Sequence, residues 1–404
     1  MRILLVNDYA TATAGAERVT LDLRDGLRSR GHDVHVFSSR AQLIAGESFA
    51  DTTCYGTNSR VQTLTSAVNP SAARALRRVL REFAPDVVQV NMFLWQLSPS
   101  ILPLLRRVPS VYWAMTFKPV CPTGLKWLRA GVRGGVPCGV RAGTACLANG
   151  CITVTGFGPL MLQRALWRRR RGAFDVIVSC SHELRRQLDA DGIESHEVIW
   201  PGVNETPRRP PLDGPPTVTF AGRLIAEKGA DVLVRAFAIV RERLPGARLS
   251  IAGAGPAELA LHALVRELRI AESVELHGQL GGEALRRTLD RGWVHAVPSR
   301  WPEPFGLTAT EAMMRGTAVV ASDIGGLAES VLHETTGLRV PAGDALALAD
   351  ALTRVLADRD FAERLGEAGF GRARELFAMS DCLTRFERLY ASLRSSTLSP
   401  PHAS

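Results

Sequence analysis

Short apolar runs alternate with segments of helical spacing almost throughout this chain, in two series separated by a Pro-rich break. In the first series Arg2–Asn7 is an apolar run, and residues 16–30 place Val19, Leu23 and Leu27 on one helical face. Residues 33–38 alternate as a strand does, after Gly31 at a helix C-cap position. Helix 72–83, strands 86–90 and 110–114, an irregular Gly- and Cys-containing stretch 116–158, a helix to Arg171 and strand 175–179 complete it. In the second series strands over 217–221, 248–252, 274–277, 293–297 and 318–321 alternate with helices over 231–243, 257–268 and 308–315. Further helices run to about residue 393. Such alternation predicts parallel, doubly wound α/β sheets covered by helices on both faces.

The expected organisation is a first lobe over 1–200, a linker over 201–216 and a second lobe over 217–375. A helix over 376–394 and a Ser/Pro-rich tail over 395–404, read as disordered, would follow. Two doubly wound lobes predict a ligand cleft between them.

The net charge of +9 is unevenly placed. Residues 1–200 hold 25 Lys and Arg against 15 Asp and Glu, a balance of +10, whereas residues 201–404 hold 24 against 25. Between Asp86 and Asp175 stand 12 basic residues and no acidic one, including Trp167-Arg-Arg-Arg-Arg171. A field of one sign over one lobe implies an anionic partner, either phosphate, anionic lipid or nucleic acid. Arg-rich bacterial composition would give the same numbers. Nucleic acid is disfavoured, since no recognised binding module appears and aromatic residues make up only 6%. No apolar run reaches the length of a membrane span. The N-terminus turns polar at Asn7-Asp8, too soon for a signal peptide, so a cytoplasmic setting is expected, peripheral to the membrane at most. Four of the seven cysteines cluster, at Cys121, Cys138, Cys146 and Cys151, with gaps longer than those of common zinc pairs. A structural zinc, a disulfide and free thiols all stay open.

The densest chemical signal is Pro298-Ser-Arg-Trp-Pro-Glu303-Pro-Phe-Gly-Leu-Thr-Ala-Thr-Glu311. Prolines and Gly306 keep Glu303 in a loop, while Glu311 falls in the following helix, whose N-terminal amides attract phosphate or sugar oxygens. The two carboxylates suit sugar or ribose hydroxyls. Thr308-Ala-Thr-Glu311 also fits a capping box, in which Glu311 serves only the helix start. Gly222-Arg223 to Lys228-Gly229, directly after a strand, has the makings of a pyrophosphate clamp, a guanidinium fork and a point charge. Gly253-Ala-Gly255-Pro lacks the third glycine of a dinucleotide loop.

The set G-R-x4-K-G at Gly222–Gly229, P-S-x3-E-P-F-G-L-x3-E-A-M-x2-G at Pro298–Gly316 and G-G-x2-E at Gly325–Glu329 resembles the retaining glycosyltransferases of family four, which have the GT-B fold. Gly15–Val19 and Arg30–Val34 agree with it, and the likeness spans nearly the whole chain. The resemblance implies two Rossmann-like lobes, with the last helix returning towards the first. It implies a nucleotide-diphosphosugar, a UDP- or GDP-sugar, held mainly by the second lobe, and a glycan or lipid-linked acceptor held by the first. Arg223 and Lys228 would bind the diphosphate and act with Glu303 in catalysis, and Glu311 would bind the ribose. Glu303, Pro304, Phe305, Gly306 and Leu307 would hold the sugar, while Gly222 and Gly15 let backbone approach the donor. No metal or further cofactor is implied, because cations and helix dipoles stabilise the leaving diphosphate. Retention would follow front-face attack, a donor phosphate oxygen taking the acceptor proton.

The acceptor side departs from the family pattern. An H-x-H reads Gln89-Val-Asn91 here, and His-Asp reads Met115-Thr116. These departures keep two rivals open, a nucleotide-sugar epimerase on the same fold and a non-catalytic glycan- or membrane-binding relative. Membrane-associated relatives use basic and aromatic surfaces, which the acid-free stretch of the first lobe would supply for an anionic membrane.

Overall fold

A computed structural model describes residues 1–12, 15–42, 46–128 and 136–398. They form two compact units. The first takes residues 1–126, 138–204 and the chain from Met379 onward; the second takes 205–378 with the short strands near residues 127 and 137.

The first unit is built on β1 (Arg2–Asn7), β2 (Asp33–Ser39), β3 (Thr52–Cys54), β4 (Val87–Met92) and β5 (Ser110–Ala114). A two-residue antiparallel pair, β6 (Trp127–Leu128) and β7 (Val136–Pro137), comes next in the chain, followed by β8 (Val176–Ser179) and β9 (Glu197–Val198). The order β3-β2-β1-β4-β5-β8-β9 is parallel throughout. Burial on both faces explains why β1 reads as a continuous apolar run, and in β4 even Gln89 and Asn91 are buried. Strand order reverses between β1 and β4, the place where open α/β sheets form a crevice at their carboxyl ends.

The last helix, Met379–Leu398, is part of this unit. Phe386 meets Trp113 edge-on at 4.8 Å, and Glu387 pairs with Arg30 and His32 at 2.6 and 2.8 Å. It extends to Leu398, past residue 394 where the helix was expected to end; the rest of the expected tail, 399–404, lies outside the described residues. The irregular stretch is also shorter than expected. Thr153 caps a helix over Val154–Arg170 by accepting the Gly156 N–H at 3.1 Å.

The second unit carries β10 (Thr217–Ala221), β11 (Arg248–Ala252), β12 (Val274–Leu276), β13 (Val294–Val297), β14 (Ala318–Ser322) and β15 (Leu338–Val340). Their order is β12-β11-β10-β13-β14-β15, again parallel, with the reversal between β10 and β13. The expected linker over 201–216 is divided between the units. Residues 201–204 belong to the first unit and 205–216 to the second, most of them exposed but with two residues buried. There buried Arg209 meets Glu363 at 2.6 Å and the Gly316 carbonyl at 3.0 Å, while Leu212 enters the core. Pro-rich sequence signalled irregular backbone here, and irregular backbone can still be packed when its polar groups find partners.

Candidate active site

β10 and β13 are adjacent and flank the reversal of the second sheet, with Thr219 opposite His295 in their register. The Gly222–Gly229 segment leaves the carboxyl end of β10, and the Pro298–Gly306 segment leaves that of β13. Topology thus brings together two motifs that lie far apart in sequence. The loops touch at Gly229, whose φ of +68° favours glycine and where an added Cβ would lie 2.0 Å from the Pro298 carbonyl oxygen. Arg300 strengthens this seam, its N–H donating to the Glu227 carbonyl at 2.8 Å and its guanidinium meeting Asp231 at 2.6 Å.

Glu303 is buried at the centre of this arrangement. Lys228 Nζ donates to its Oε1 at 2.8 Å, and the Ser299 hydroxyl donates to the same oxygen. Its carbonyl accepts the Gly326 N–H at 2.8 Å, and an added Cβ at Gly325 would lie 2.6 Å from that carbonyl oxygen. The G-G-x2-E turn therefore buttresses Glu303 from behind. Arg223 is exposed, and among the described residues no carboxylate pairs with it. Phe305 is buried edge-on to Phe377 at 5.5 Å, with Pro304 half-buried beside it.

Gly306, at φ +99°, is the N-cap of helix Leu307–Met314, and no side chain caps that end. This overturns the capping box. Thr308 lies inside the helix, so Glu311 is not its N3 partner. Glu311 is exposed and borders a shallow cavity shared with Thr219, His295, Thr308 and Arg315. Gly253 packs against Gly222, where a Cβ would lie 1.8 Å from the Gly222 oxygen, so that glycine pair serves close packing of backbone.

The sequence-level comparisons cover almost all of this architecture. Residues 13–206 match the model described as Glycosyltransferase Family 4, and residues 204–372 match that of Glycosyl transferases group 1. The chain belongs to the family four glycosyltransferases. Its two units have the GT-B fold. It is 31% identical over 233 residues to a glycogen synthase of Mycobacterium tuberculosis, covering 56% of each chain. To the GDP-mannose-dependent alpha-(1-6)-phosphatidylinositol monomannoside mannosyltransferase of the same organism it is 33% identical over 234 residues, 53% of this chain and 61% of that one. The chain thus spans little more than half the length of these curated relatives. Among solved structures, sucrose-phosphate synthase from Thermosynechococcus elongatus superposes with a TM-score of 0.74 at 24% identity, over 98% of this chain and 100% of that one. Anabaena HepE in complex with UDP and glucose gives 0.70 at 17% identity, over 97% and 100%.

In this family member the acceptor-side candidates are distributed unequally. Gln89 and Asn91 are fully buried and bonded to each other at 2.6 Å. Asn91 donates to Thr20 at 3.1 Å, and Tyr390 donates to Gln89 Oε1. Both amides therefore tie β4 to the flanking helices and do not face solvent. Met115 is buried, whereas Thr116 is half-buried. Gly15 is exposed and opens helix Gly15–Ser29, and its neighbours Thr13 and Ala14 lie outside the described residues. Trp167 is buried against Phe93 and Tyr112, so the basic helix end carries no surface aromatic there.

Two charged residues that the sequence did not mark stand at the first sheet's crevice. Burial raises the Asp8 carboxyl to about 6, against three opposing N–H bonds from Leu97, Gln96 and Trp95. Burial likewise lowers the Lys118 amine to about 8; it lies over the Trp95 ring at 4.3 Å and donates to the Pro122 carbonyl. In the structure all seven cysteines are free thiols. Among the described residues no three His, Cys, Asp or Glu groups are gathered to hold a metal. Cys121 instead accepts the Lys126 N–H at 3.4 Å and contacts the Thr123 hydroxyl at 3.2 Å.

Proposed function

We propose that this chain is a retaining glycosyltransferase that moves a sugar from a UDP- or GDP-sugar to a glycan or lipid-linked acceptor in cell-surface polysaccharide or glycoconjugate biosynthesis. The observation that carries the reading is the Lys228–Glu303 pair beside solvent-facing Arg223 at the carboxyl ends of β10 and β13. A bound diphosphate would be met by the Arg223 fork, the Lys228 ammonium and the N-terminus of helix Leu307–Met314. These groups stabilise the negative charge that grows on the leaving diphosphate, so the reaction needs no metal. Glu303 accepts hydroxyls of the sugar and Glu311 those of the ribose. The acceptor proton passes to a donor phosphate oxygen, which leaves the carboxylates as binding groups.

Incubation with UDP-glucose or GDP-mannose, with and without a lipid extract as acceptor, tests this. Release of nucleoside diphosphate only with acceptor, unaffected by EDTA, and a product of the donor's anomeric configuration are expected. Epimerisation of the donor without acceptor would replace the reading, and donor binding without turnover would favour a non-catalytic role.

The membrane part of the proposal, peripheral attachment at the inner face, rests on the first unit. No helix among the described residues is long and apolar enough to cross a bilayer. The acid-free stretch includes exposed Arg168 and Arg169, and Val61, Leu64 and Val68 are exposed elsewhere on the unit. Each basic residue near an anionic leaflet contributes about 1 kcal/mol. Sedimentation with anionic but not neutral vesicles, weakened by salt, is the expected outcome.

A further inference from the structure

We infer that Ser299 is the fixed anchor of Glu303, holding the carboxylate in place when Lys228 turns towards the donor's diphosphate. The inference rests on the proposed function and concerns a residue to which the family likeness assigned no role. Two donors converge on one oxygen, Glu303 Oε1, and they differ in kind. Lys228 has a long side chain that is 20% exposed, at the end of a single 3-10 turn. Ser299 has one short rotor, is fully buried, and sits four residues before Glu303 in the same loop. A diphosphate competes for the lysine ammonium but has no access to the buried hydroxyl.

With Oε1 occupied, Oε2 is the oxygen left to accept sugar hydroxyls. The backbone of Glu303 is already fixed through Gly326 N–H. Ser299 therefore completes a mount that survives the departure of Lys228. It acts through Glu303 and is a positioning residue, so its effect should fall on the sugar and spare the nucleotide.

Calorimetry of the full chain with UDP against UDP-glucose, and GDP against GDP-mannose, separates the two. Ser299→Ala should bind the nucleoside diphosphate within about twofold of wild type, lose the affinity added by the sugar, and lower kcat by up to about a hundredfold, the scale of a misplaced reacting group. Ser299→Cys keeps the volume but not the strong donor, and should follow the alanine variant. A packing role would instead leave Ser299→Cys like wild type, which overturns the inference. An unchanged sugar increment and kcat in Ser299→Ala also overturn it while leaving the proposed function intact. If wild type turns over neither sugar donor and binds neither diphosphate, the proposed function falls and this inference with it.

Discussion

Lys228 Nζ lies 2.8 Å from Glu303 Oε1 across 75 residues of sequence. The pair has a protein-side reason, since a buried carboxylate needs donors, and, on the proposed function, a ligand-side one, since a bound diphosphate would compete for the lysine ammonium. Glu303→Ala should therefore lower transfer at least about a hundredfold. Its cost in stability should be about 1–3 kcal/mol, because the partly exposed lysine can rehydrate but the buried Ser299 hydroxyl loses its acceptor. Turnover and urea midpoints measured together decide this, and normal turnover in the variant would remove Glu303 from the site.

The seam between the two loops depends on Gly229. A methyl group there meets the Pro298 carbonyl oxygen at 2.0 Å on a left-handed backbone, so the loops must part. Gly229→Ala should cost about 2 kcal/mol or more and weaken nucleotide binding with it. Gly371 is the control. It sits in helix Arg359–Leu376 with open space at its Cβ, and Gly371→Ala should stabilise by about 0.5–1 kcal/mol with binding unchanged.

Gln89 is predicted to be structural. Its Oε1 accepts from Tyr390 and its amide donates to Asn91, all within the first unit. Tyr390→Phe strands that buried oxygen and should cost about 1–3 kcal/mol. Donor affinity should not move. A variant as stable as wild type would mean that the tie between the last helix and β4 contributes nothing.

Periodicity made the doubly wound units legible, and the spacing around Glu303 and Lys228 marked the two loops that meet in the structure. What sequence could not supply was adjacency across the sheet. The reversal between β10 and β13, and the contact of Gly229 with Pro298, exist only once the strand order is known. Ser299 stood inside the quoted motif, four residues before Glu303, yet a serine beside a proline carries no sign of which oxygen it will reach. Asp8 and Lys118 were invisible for the opposite reason. Their perturbation comes from burial, and a charged residue in the loop after a strand, one position past β1 for Asp8 and four past β5 for Lys118, reads as solvated. The capping box misled because Thr308-Ala-Thr-Glu311 satisfies its pattern two residues too late, after Gly306 has already started the helix.

His295 gives a prediction with a definite sign. Thr219 donates to the Val294 carbonyl at 3.3 Å, so it accepts from His295 Nδ1 at 3.1 Å, which fixes the neutral tautomer. Nε2 is buried with no hydrogen-bond partner, and burial lowers the imidazole to about 4 from 6.5. Between those values the unfolded chain binds a proton that the folded chain does not. Stability from this group is thus complete above pH 6.5 and is lost as pH falls through about 4. Asp8 has the opposite sign: its folded value of about 6 exceeds 3.8, so its contribution declines as pH rises across that window. The two partly cancel in wild type, and a wild-type acid curve alone would hide both. Comparison with His295→Leu at each pH removes the Asp8 contribution. Relative to wild type, the variant should gain up to about 3 kcal/mol between pH 6.5 and 4, the free energy of a shift of this size. Urea unfolding at several pH values across the window measures it, and a stability difference that does not change with pH would show that His295 already carries a proton in the folded state or finds one at no cost.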